Sequence, residues 1–220
     1  MQDVNSGSTA YLDGSQAFKL MELNGELEFS LAVPTSTVIG YRPEAPHMIC
    51  VLEHAQKHNG RLTLPGGKRT GADTHLQCAI NEFDQEVGGS GASLFDIELL
   101  WVKADPLADV RRVSLAKATD NRCPQSMKNT GVTAFYGYPD YIYRAAVSGE
   151  PSPKDGEAKS VRWFDINDLV IEASPEASIF GAQHDLIIYQ YRKYLQGGLV
   201  SSVVFADLAI MRSEILASRA

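Results

Sequence analysis

Leu64-Pro-Gly-Gly-Lys68, followed by Asn81-Glu-Phe-Asp-Gln-Glu-Val-Gly88, decides the reading of this chain. It reads as a strand end, a double-glycine turn, a loop, and a helix carrying Glu82 and Glu86 four residues apart. Residues at i and i+4 share a helix face, where two carboxylates repel by roughly 0.2–0.5 kcal/mol. A divalent cation between them reverses that sign. Oxygen ligands beside an open glycine backbone suit Mg²⁺ or Mn²⁺, which keep several waters and bind substrate phosphates directly. The segment is therefore expected to hold a metal against a diphosphate.

The helix is expected to begin near Thr74, with Thr74 and Gln77 as a capping-box pair. Leu76, Ile80, Phe83 and Val87 form the expected core stripe, with Glu82, Gln85 and Glu86 turned elsewhere. Gly88-Gly-Ser-Gly91 stops it. Upstream, residues 35–41 and 47–53 read as strands around a Pro43/Pro46 turn, and 61–64 as a short strand. Downstream, 95–103, 112–118, 141–147 and 162–165 read as strands. Residues 119–140 read as a long loop or lid. Residues 184–195 form a tyrosine-rich helix ended by Gly197-Gly198, and Leu208, Met211 and Ile215 mark a helical tail. Tyr136, Tyr138, Tyr141 and Tyr143 could stack on a base, although the alternation at 141 and 143 fits an ordinary half-buried strand better.

The glycine-to-helix segment resembles the Nudix box, G-x5-E-x7-R-E-U-x-E-E-x-G-U, where U is a bulky apolar residue. Gly67, Glu82, Phe83, Glu86 and Gly88 agree with it, and Asp73 conservatively replaces the first glutamate. Asn81 stands at the arginine, Gln85 at the first glutamate of the pair, and Gly89 at the final aliphatic position. Leu64-Pro65-Gly66, Trp163-Phe164 and Asp168-Leu169 also fit the family. The run from Asp105-Pro106 through Arg112 to Ala116, and His184-Asp185-Leu-Ile-Ile188, are similar to its ADP-ribose pyrophosphatase-like branch.

That resemblance, over roughly residues 33–196, implies an α/β fold: a Nudix-type α/β/α sandwich with a mixed β-sheet. Residues 1–32 are then an N-terminal extension and 197–220 a helical C-terminal tail. It implies Mg²⁺ (or Mn²⁺) held by the Gly66 carbonyl, Glu82, Gln85 and Glu86. Glu82 or Glu157 is the implied general base. Arg42, Arg69 and Arg112 are candidates for the substrate. The implied activity is hydrolysis of a nucleoside diphosphate linked to another moiety, with ADP-ribose or a nucleotide sugar preferred. The departures carry a second reading: Gln85 removes an anionic ligand and Asn81 a bracing charge, so the chain would be a weakened, nucleotide-binding or sensor protein. Regulator relatives add a winged helix after this domain, and too few residues follow Leu195 to form one.

Composition sets the remaining bounds. The chain has 220 residues, 44% apolar content and a net charge of -7, which is a globular composition and disfavours nonspecific nucleic-acid binding. The N-terminal residues lack a basic, then apolar, leader pattern. No run of some 18 apolar residues implies a membrane span. Cys50, Cys78 and Cys123 lack C-x-x-C spacing and are expected to be reduced thiols in a cytoplasmic protein, Cys78 as a small buried hydrophobe. The five histidines show no metal spacing. His54 and His58 are four apart, but at a strand–turn boundary. The expected partner is a nucleotide-derivative small molecule, and a homodimer is an expectation by analogy.

Overall fold

The computed structural model describes residues 9–12, 16–23, 26–32, 35–69, 73–103, 111–114, 133–137, 140–154, 156–197 and 208–218. Its centre is a seven-stranded mixed sheet ordered β12-β5-β4-β11-β8, with two short strands, β6 and β7, pairing β5 and β4. These are β4 (Thr35–Arg42), β5 (Ala45–His54), β6 (Leu62–Thr63), β7 (Gly66–Lys68), β8 (Ser93–Lys103), β11 (Asp140–Ser148) and β12 (Ala158–Asp165). β4 and β11 run parallel, whereas β4 and β5 are antiparallel.

Side-chain alternation along the strands explains why both sheet faces are covered. Val38, Cys50, Leu52, Tyr143, Ala145 and Val147 pack with Ala79, Phe83 and Val87 of helix α1 (His75–Val87). Their neighbours Ile39, Ile49, Val51 and Ile142 pack instead with Leu186, Ile187, Ile188 and Tyr191 of α2 (His184–Leu195) and Ile215 of α3 (Leu208–Ala217). Helices thus lie on opposite faces of one sheet, the expected α/β/α sandwich. No helix among the described residues is long and apolar enough to cross a membrane.

Several expectations change in detail. The double glycine is not a turn: Gly66 and Gly67 lie in β7, paired with Thr37 and Ser36 of β4. Residues read as a mixed extension carry strands β1 (Thr9–Leu12), β2 (Gln16–Leu23) and β3 (Glu26–Ala32). β3 pairs in parallel with β10 (Thr133–Gly137), which itself pairs with β9 (Arg111–Ser114). Part of the expected lid is therefore a strand that carries Tyr136, while Tyr138 and residues 119–132 lie outside the described residues. Tyr143 is buried, and Tyr141 stacks on His75 with ring centroids 3.4 Å apart, so both serve packing.

Helix α1 begins where its cap residue predicts, with the Thr74 side chain accepting from the Gln77 N–H. The reciprocal half of the capping box is absent, because the Gln77 side chain donates to Asn81 Oδ1. The buried face is also rotated from the expected stripe. Cys78, Ala79, Phe83, Glu86 and Val87 are buried, while Leu76 is exposed. A carboxylate has taken a place in the core-facing row.

Candidate active site

Glu86 is only 3% exposed. Its Oε2 accepts from the Gly66 N–H at 2.9 Å, which ties the helix to β7. Burial is the main cause that pushes its carboxyl up to about 8, opposed by the Gly66 hydrogen bond and reinforced by Glu82 and Glu157. A buried carboxylate facing two others is a poor anion alone and a good ligand for a cation.

Glu82 lies against the other glycine. A Cβ added at Gly67 would collide with the Glu82 carboxylate, so the box needs glycine there for close approach. Gly67→Ala is expected to displace Glu82 and lower turnover at least about tenfold, with little change in melting temperature. A steady-state rate and a melt on the same preparation check this.

Glu157 immediately precedes β12, and its carbonyl accepts from the Ala55 N–H at 2.9 Å, docking it beside the end of β5. Its side chain pairs with Lys57. Hydrogen bonding to Lys57 is the main cause that holds the Glu157 carboxyl below its ordinary value, and the same bond raises the Lys57 amine. His54, the last residue of β5, is buried with Nε2 3.9 Å from Glu86 Oε1. One ligand atom each from His54, Glu86 and Glu157 all lie within 4.8 Å of one another. Two carboxylates and an imidazole at that spacing fit a divalent cation. Sequence reasoning missed His54, because no spacing rule joins a strand end to a helix interior.

The remaining candidates divide. Gln85 is exposed, on a different side of α1 from buried Glu86. Asn81 Nδ2 donates to the Asp73 carboxylate oxygen Oδ2 at 3.3 Å, so the amide at the arginine position pairs with the aspartate at the first glutamate position. Gly89 has a steric reason as well: a Cβ there would strike the Pro153 carbonyl. Arg69 follows β7, near enough to His75 that its charge, after burial, holds that imidazole below its ordinary value.

Arg42 lies elsewhere. It is five residues along β4 from Thr37, the partner of Gly66, or about 16 Å at strand rise. There it donates to Glu150 at 3.0 Å and stacks over Trp163 at 4.7 Å. Arg112 falls in β9, and its side chain lies outside the described residues. Cys50 and Cys78 are free and buried. Burial raises both thiols, Cys78 to about 11, which suits packing rather than nucleophilic attack. Cys123 lies outside the described residues.

Residues 33–183 match the family model described as the NUDIX domain. Among solved structures, a NUDIX hydrolase from Nitrosomonas europaea is 14% identical, with 90% of this chain and 94% of that chain covered and a TM-score of 0.49. A MutT NUDIX hydrolase from Burkholderia pseudomallei is 18% identical, with 72% and 96% covered and a TM-score of 0.44. An Ap4A hydrolase from C. elegans, in a binary complex, is 13% identical, with 75% and 98% covered and a TM-score of 0.42. Likenesses this distant carry no weight beside the family match. No curated protein matches the chain.

Proposed function

Because this chain belongs to the NUDIX family, we propose that it is a divalent-cation-dependent pyrophosphohydrolase acting on a nucleoside diphosphate linked to a second moiety. ADP-ribose and nucleotide sugars are the preferred candidates. The observation that carries the reading is the buried Glu86 carboxylate, held by the Gly66 N–H and approached by Glu157. Buried carboxylates are retained where something positive meets them.

Glu86 and Glu157 would hold the cation, Mg²⁺ or Mn²⁺, at the end of β5. Bound there, it supplies positive charge against the diphosphate and acidifies water. Glu82, whose carboxylate lies against Gly67, would take the proton from the attacking water. Water adds to one phosphorus, the bridging P–O bond breaks, and two phosphomonoesters leave. The Gly66 N–H fixes the rotamer of Glu86. The Asn81–Asp73 bond steadies the helix against the loop before it. Arg69, which directly follows β7, would meet a substrate phosphate.

The test is a panel of ADP-ribose, nucleotide sugars, dinucleoside polyphosphates and nucleoside triphosphates, first with Mg²⁺ and then with Mn²⁺. The expected products are a nucleoside monophosphate and the phosphorylated second moiety. Gln85→Glu restores the acidic pattern on an exposed position and is expected to raise the rate about threefold to tenfold. Nucleotide binding without turnover on any substrate, and no gain from Gln85→Glu, would replace hydrolysis by the sensor reading.

A further inference from the structure

The strand leading into the site ends on a residue outside the box pattern. His54 closes β5, is 6% exposed, and faces buried Glu86 across 3.9 Å. That gap is too long for a hydrogen bond, which brings N and O to about 2.7–3.2 Å. It is the spacing of two donors on either side of a shared ion, where ligand atoms stand about 3–4 Å apart. Glu157 completes the group from an exposed position, within 4.8 Å of both.

The box itself offers one anion fewer than its pattern allows, since Gln85 is neutral and exposed. A donor arriving from β5 restores what the helix gives up. Its chemistry differs, however. Mg²⁺ prefers oxygen and near-ideal geometry, whereas imidazole suits first-row transition ions. We infer that His54 is a metal ligand, giving one nitrogen and two carboxylate donors, and that this site takes first-row transition ions in preference to Mg²⁺. The inference rests on the reading of Glu86 and Glu157 as metal ligands and adds to it the identity of the third donor and the choice of ion.

The experiment uses Mn²⁺ as the probe on the full chain. Electron spin-echo modulation of bound Mn²⁺ is expected to show a directly coupled nitrogen. Labelling histidine with ¹⁵N should change that pattern. His54→Gln should abolish it, and His58→Gln should leave it intact. In calorimetric titrations, His54→Gln should weaken Mn²⁺ binding roughly tenfold or more while Mg²⁺ affinity moves less than about threefold. Co²⁺ should bind the native chain more tightly than Mn²⁺, and Mn²⁺ more tightly than Mg²⁺.

Mn²⁺ uptake that requires Glu86 but shows no histidine nitrogen would overturn the inference and leave the hydrolase reading standing. No uptake of either ion by the native chain would overturn both. If His54→Gln fails to fold, the ¹⁵N-histidine-labelled chain carrying His58→Gln decides instead: a retained histidine signal supports His54, and its loss overturns the inference.

Discussion

Glu86→Gln is expected to lower turnover by at least about 100-fold on whichever nucleotide diphosphate is accepted, equivalent to about 2.7 kcal/mol of barrier. The fold should survive, because the amide fills the same space and its oxygen can still accept from the Gly66 N–H. A second readout separates lost chemistry from lost structure. The Glu86 carboxyl titrates near 4.5 when unfolded and at about 8 when folded. Between those values the folded state holds a proton that the unfolded state has released. Without cation, this group's contribution is therefore fully present below pH 4.5 and lost as pH rises through about 8. Glu86→Gln should remove that fall, so the variant gains on the native chain as pH rises, by a few kcal/mol at most. Cation-free melts from pH 5 to 9 check the sign. A variant with near-native rates would refute the ligand role of Glu86.

Arg212→Ala is expected to cost about 3–5 kcal/mol of stability, the range for breaking a buried ion pair from one side. Arg212 is 4% exposed and Asp185 is fully buried. They meet at 2.8 Å, and a second Arg212 nitrogen donates to the Glu172 carbonyl at 2.8 Å. This pair pins α3 to the start of α2. Removing the guanidinium leaves the Asp185 carboxylate buried with, among the described residues, only the Leu186 N–H, at 3.0 Å, still donating to it. Adding Asp185→Asn should recover a large part of the loss, since the stranded charge disappears. Urea melts of the native chain, Arg212→Ala and the double variant test this. A loss under about 1 kcal/mol would mean the pair is far better solvated than its burial indicates.

Local signals carried much of the architecture. Thr74 and the glycines after Val87 bound α1 to within a residue, because a cap and a stop are short-range chemistry. The apolar runs of β4, β5 and β11 are legible because strands covered on both faces need little polarity. The local Pro-Gly-Gly signature reads as a turn, because pairing with β4 is a non-local event that it hides. The buried face of α1 departs from the periodic stripe for a related reason. A glutamate normally marks the wet face, yet Glu86 turns inward to meet a backbone N–H from β7.

The same distinction divides the site. Glu82 and Glu86 were legible because helix periodicity and the glycine spacing lie within one segment. Glu157 could be named only through resemblance, and its docking depends on the Ala55 N–H, far away in sequence. His54 carries no local signal, because its meeting with Glu86 exists only after β5, β7 and α1 pack together. Arg42 looked available in the sequence because arginines suit phosphates. Its commitment to Glu150 and Trp163 follows from strand register.

Calorimetric titration of Mg²⁺ and Mn²⁺ into the native chain at pH 8, with and without saturating ADP-ribose, tests the buried-carboxylate metal site most directly. Saturable uptake, accompanied by a rise in melting temperature and absent from Glu86→Gln, is the predicted result. No uptake of either ion in either condition, or uptake unchanged in Glu86→Gln, would contradict it.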